Sequence, residues 1–122
     1  MEALFKRRFL IVWGIFVLVL STMPASEVPK IDFPHLDKIV HVGLYMVLSC
    51  LICGYLFRKL EWSKLKLSII SLILAGIYGL LMELIQFAFF KSRSFEVSDI
   101  ISNIIGSFIG IILVNKFFNS KK

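Results

Sequence analysis

Four long apolar runs, at about 9–23, 39–57, 67–90 and 100–118, constrain this chain more than any other feature. A run of roughly 20 apolar residues is what a helix needs to cross the hydrocarbon of a bilayer. Inside lipid every backbone N–H and C=O must be satisfied within the protein, which for separate runs of this length leaves the α-helix. With 58% hydrophobic and 18% charged residues over 122 positions, little chain remains for a water-soluble domain. The expected fold is therefore all-α, a polytopic transmembrane bundle of four helices forming a single domain over 1–122, with the lipid bilayer as its first partner.

The run at 9–23 follows Lys6-Arg7-Arg8 and stops at Pro24, a pattern also compatible with the core of a signal peptide. Met23 beside a cut near Ala25 fits a small-x-small cleavage site poorly, so a retained helix is expected. Lys6, Arg7 and Arg8 precede this run; Arg58, Lys59, Lys64 and Lys66 lie between the second and third; Lys116, Lys121 and Lys122 close the fourth. If all four runs span, these positions share one side, and the excess of Lys and Arg marks it as cytoplasmic. Both termini are then cytoplasmic. The net charge of +6 is accounted for by these flanks, and no basic run interleaves with aromatics as a nucleic-acid surface would require. Cys50 and Cys53 form a C-x-x-C, but mid-way along an apolar run, with no neighbouring cation or base to favour a thiolate, they read as small packing residues.

The polar residues of the runs converge on the opposite side. Asp37 and His41 open the second run, Glu83 and Gln86 sit near the end of the third, and Asp99 and Asn103 open the fourth. Ionisable groups are costly inside a bilayer, so their retention points to a functional site. Helical spacing aligns Asp37, His41 and Tyr45 on one stripe, Gly79, Glu83 and Gln86 on another, and Asp99, Asn103, Gly106 and Gly110 on a third. Gly106 and Gly110 make a G-x-x-x-G, whose usual role is close helix packing, and Gly79 leaves room for a neighbouring backbone one turn below Glu83. His35, between Pro34 and Leu36, reads as an ordinary loop residue.

In order and spacing, Asp37-Lys38-x-x-His41, Glu83-x-x-Gln86, Arg93 and Asp99-x-x-x-Asn103-x-x-Gly106-x-x-x-Gly110 resemble the VanZ-like family. The resemblance implies a small polytopic protein of the bacterial cytoplasmic membrane. The founding member is associated with teicoplanin resistance, which implies a setting in the cell envelope rather than a particular reaction.

Three functions fit that setting. The first is a binding protein whose extracytoplasmic pocket, formed by Asp37, Lys38, His41, Tyr45, Glu83, Gln86, Arg93, Asp99 and Asn103, holds an envelope lipid, a lipid-linked cell-wall precursor or a lipoglycopeptide, with a contribution to glycopeptide resistance. Arg93 and Lys38 would offer donors to phosphate or carboxylate. The second is a membrane enzyme with His41 as general base or acid and Asp37, Glu83 or Asp99 as its partner. The third is proton-coupled transport, for which four helices without an internal repeat are few. Against these stands polar packing alone, with Glu83 and Asp99 paired to Arg93 and Asn103. No cofactor is expected. One histidine among carboxylates is thin for a zinc-type site, so no metal is expected either.

Overall fold

The computed structural model describes residues 2–23, 31–90 and 95–121. A 3-10 turn, Glu2–Phe5, leads into α1 (Arg7–Ser21), α2 (Leu36–Lys59), α3 (Lys64–Phe89) and α4 (Val97–Ser120), with no strand among the described residues. Helices α2 and α4 begin three residues before and end two residues after their apolar runs, and α3 begins three residues before its run and ends at Phe89, because helical hydrogen bonding carries through the charged flanks. Asp37 and Asp99 fall in first turns, and Arg58 and Lys59 in the last turn of α2, where each sign complements the helix dipole. Ser63 caps α3 by accepting a hydrogen bond from the Lys66 N–H at 3.3 Å.

Helices α2, α3 and α4, at 24, 26 and 24 residues, are long and apolar enough to cross a membrane. Helix α1 has 15 residues, about 22 Å at ~1.5 Å per residue, short of the roughly 30 Å hydrocarbon core. It leans on α2 through Val17, which is fully buried, and through the Trp13 indole N–H, which donates to the Leu44 carbonyl at 3.0 Å.

Packing is closest between α2 and α4. A Cβ on Gly106 would stand 2.9 Å from the Val42 Cα and nearer still to its carbonyl oxygen, and one on Gly110 would collide with Ser49 Oγ and the Met46 carbonyl. The Cys50 thiol lies across this seam, 3.2 Å from the Gly110 carbonyl. Both cysteines are reduced, Cys53 fully buried in the core. Away from the seams the surface is apolar: Leu65, Ile77, Phe87 and Phe89 all point outward, Phe89 with 77% of its surface exposed. That arrangement suits lipid as solvent, since large contiguous apolar surfaces are avoided in water.

The helices run antiparallel in sequence order, so the chain has two unlike ends. At one, Phe5 packs on Phe117 and Phe118, the Arg58 guanidinium donates to the Glu2 carbonyl at 2.9 Å, and Lys121 pairs with Glu2. The hydrogen bond and charge of Lys121 hold the Glu2 carboxyl below its ordinary range. The basic residues Lys6, Arg7, Arg8, Arg58, Lys59, Lys64 and Lys66 belong to this end. The opposite end gathers Asp37, Glu83, Glu96 and Asp99.

Candidate functional site

At that opposite end, α2 enters through His35, whose backbone is left-handed (φ 57°), and then presents successive turns toward α4. Lys38, His41 and Tyr45 lie three and four residues apart and turn inward. Asp37 stays at the rim with 62% of its side chain exposed. The Lys38 ammonium is shared by three carboxylates: Asp37 at 2.7 Å, Asp99 Oδ1 and Glu96 Oε2. Lys38 is thus engaged in a cross-brace between α2 and α4 rather than standing free for an anion. Glu96, one turn before Asp99 at the N-cap of α4, is a member of the cluster that the stripes of the sequence did not single out; its i, i+3 spacing from Asp99 is the signal that marks it.

Deeper in, His41 Nδ1 meets the Asn103 side-chain oxygen at 2.7 Å, and its Nε2 faces Asp99 Oδ2 at 3.8 Å. Because an amide oxygen only accepts, Nδ1 carries a proton. The imidazole lies nearly parallel to the ring of Tyr45, centroids 6.5 Å apart. Glu83 enters from α3 and is 1% exposed. Ligating atoms of His41, Glu83 and Asp99 lie within 4.8 Å of one another.

Among the described residues, three polar atoms here are buried without a hydrogen-bond partner: Glu83 Oε2, the Tyr45 hydroxyl and the Asn103 amide nitrogen. Each such atom costs on the order of 1–3 kcal/mol, more when charged. Gly79 forms the floor beneath them, since a Cβ there would lie 2.9 Å from Asn103 Nδ2 and 3.1 Å from the Tyr45 ring. Gly79→Ala is expected to lower thermal stability by roughly 1–3 kcal/mol. Gly76→Ala, where a Cβ meets nothing within 4 Å, should cost nothing. Equal melting of the two variants in detergent would show that the floor yields freely.

The remaining site residues fall elsewhere. Gln86 donates its amide to the Ser21 carbonyl at 2.7 Å, tying the C-terminus of α1 to α3. Arg93 lies outside the described residues, and so does any pairing of it with Glu83 or Asp99. Below the cluster, α1, α2 and α3 form an open apolar groove of about 390 Å³, lined by Leu10, Leu48, Ile52, Leu74 and Tyr78 among others. The Tyr78 ring stands 6.5 Å from that of Tyr45, so the upper end of the groove borders the floor of the polar cluster.

A family model described as VanZ/LLP1 matches residues 5–119, nearly the whole chain. No curated protein and no solved structure matches it.

Proposed function

The chain belongs to the VanZ/LLP1 family of membrane proteins, and from that premise we propose that it binds an amphiphile of the bacterial cell envelope. The head group enters the polar cluster from outside the cytoplasmic membrane, and the ligand is an envelope lipid, a lipid-linked cell-wall precursor or a lipoglycopeptide. Through such binding the protein contributes to glycopeptide resistance. The observation that carries this reading is the set of unpartnered buried atoms on Glu83, Tyr45 and Asn103. They offer both donors and an acceptor to a polar head, and recover their cost when one arrives. The adjoining apolar groove suits an attached hydrocarbon chain. The outward orientation follows from the basic residues at the other end of the bundle, which the positive-inside rule assigns to the cytoplasm together with both termini.

The fixed imidazole of His41, oriented by Asn103 and flanked by Asp99 and Glu83, favours one second reading, a membrane enzyme in which His41 moves a proton on the bound amphiphile.

Two measurements test these statements. Single cysteines at Glu96 and Glu61, in a chain with Cys50 and Cys53 replaced by alanine, are to be labelled in intact cells with a membrane-impermeant reagent. Labelling at 96 and not at 61 is expected, and the reverse pattern would put the cluster in the cytoplasm. Purified protein titrated with lipid-linked wall precursor and with a lipoglycopeptide is then expected to saturate with at least one. Glu83→Gln should weaken that binding by roughly tenfold or more, the equivalent of a charge-assisted hydrogen bond. Unchanged affinity in that variant would refute the assignment of the pocket. Turnover lost in His41→Ala with binding intact would select the enzyme.

A further inference from the structure

We propose that His41, Glu83 and Asp99 form a binding site for one divalent first-row transition cation, of the Mn2+ or Zn2+ class, with Asn103 as the residue that sets the ligating form of the imidazole. The site goes beyond amphiphile binding and needs none: its ligands come from three helices of this chain alone.

Four observations support it independently of one another. His41 Nδ1 donates to the Asn103 oxygen at 2.7 Å, which makes Nε2 the ligating nitrogen of the neutral imidazole. A metal-bound histidine characteristically gives its other N–H to just such an acceptor, which fixes the tautomer and ring orientation. Nε2 and Asp99 Oδ2 face each other at 3.8 Å, longer than a hydrogen bond and a separation that two ligands of one cation can close. Glu83, 1% exposed, has its Oε2 without a partner, so one ligand is buried at a cost that coordination would remove. Finally, Lys38 occupies Asp99 Oδ1, leaving Oδ2 for the cation and orienting the carboxylate as an outer partner does in metal sites.

Distances agree with this assignment. The three ligand atoms lie within 4.8 Å of one another, and metal–ligand bonds of about 2.0–2.2 Å bring such atoms to roughly 3–3.5 Å, a contraction that side-chain rotation supplies. One nitrogen and two carboxylate oxygens, with remaining positions open to water, suit Mn2+ or Zn2+ better than the oxygen-only preference of Ca2+. The other acidic group at this end, Asp37, Glu96 and Asp99, is already filled by the Lys38 ammonium and is not a second site.

The test uses the full chain in detergent, stripped with chelator and free of added amphiphile, titrated calorimetrically with Mn2+ and separately with Zn2+. One equivalent of at least one ion is expected to bind. Glu83→Gln and His41→Ala should each weaken it a hundredfold or more, while Glu61→Gln, at the other end of the bundle, leaves it unchanged. Pulsed EPR of the Mn2+ form should show coupling to a single imidazole nitrogen, a readout on the unaltered chain that does not depend on any variant folding. Absence of stoichiometric binding of both ions, a Mn2+ spectrum without nitrogen coupling, or affinity unchanged in both variants would overturn the site. A cation here would take the Glu83 Oε2 that amphiphile binding uses as acceptor, so amphiphile binding is measured separately, on the chelator-stripped chain with its own ligands.

Discussion

Gly106→Ala is expected to unfold or dissociate the bundle, and Gly110→Ala to do nearly as much, although each adds a single methyl group. The added carbon at 106 would stand 2.9 Å from the Val42 Cα and closer to its carbonyl, and at 110 would meet Ser49 Oγ and the Met46 carbonyl. The obstructing atoms at 106 are all backbone, and no rotamer change clears them. The two helices must separate, and separation strips the contacts that hold α4 to α2, including the Lys38 brace and the His41–Asn103 hydrogen bond. Overpacking alone costs about 1–3 kcal/mol where neighbours can shift; against an immovable backbone the loss exceeds that range. Helix propensity works the other way, since alanine is better than glycine by about 1 kcal/mol in a helix interior. Gly43→Ala isolates this gain, because a Cβ there meets nothing within 4 Å. Thermal unfolding in detergent should rank Gly43→Ala at or above the unaltered chain and Gly106→Ala far below it. A Gly106→Ala protein melting with the unaltered chain would show that the α2–α4 seam is looser than this geometry.

The physical content of the sequence explains what could be read from it. Apolar runs reveal helices in lipid because length and hydropathy alone decide whether a segment can cross, and the four helices, the glycine seam and the gathering of polar residues at one end all follow from one-dimensional spacing. Family membership was legible for a related reason: an ordered set of polar residues at fixed intervals is improbable in apolar helices, and the family model matches 5–119. The rotation of one helix against another is not written in any single helix. Asp37 and Lys38 differ by about 100° around the axis, and only the position of α4 determines that Lys38 points in while Asp37 remains at the rim. For the same reason the partnership of Gln86 with Ser21 was invisible, since it depends on where α1 ends beside α3. The brevity of α1 was legible, because its apolar run at 9–23 and the helix Arg7–Ser21 are both 15 residues long.

Lys38→Met should make stability fall as pH rises. In the unaltered chain the Lys38 ammonium is the only Lys or Arg charge described at this end, and it stands among Asp37, Glu96 and Asp99, whose ligating atoms lie within 4.8 Å of one another. Removing it leaves three carboxylates in mutual repulsion at a membrane end where water screens them only in part. Losing one partner of a fully buried ion pair costs about 3–5 kcal/mol. Asp37 and Glu96 retain exposures of 62% and 44%, so roughly 2 kcal/mol is expected here after solvent screening. The sign follows from proton counting. Without Lys38 the folded state relieves its repulsion by holding more protons than the unfolded chain, so stability falls as pH rises and recovers as pH drops. Melting measured between pH 5 and pH 8 should therefore show the variant losing most at pH 8 and approaching the unaltered protein at pH 5. Adding Asp99→Asn to Lys38→Met removes one of the repelling charges and should flatten that dependence. A Lys38→Met protein that melts with the unaltered chain at pH 8, or a deficit constant from pH 5 to pH 8, would mean that the cross-brace contributes packing rather than charge.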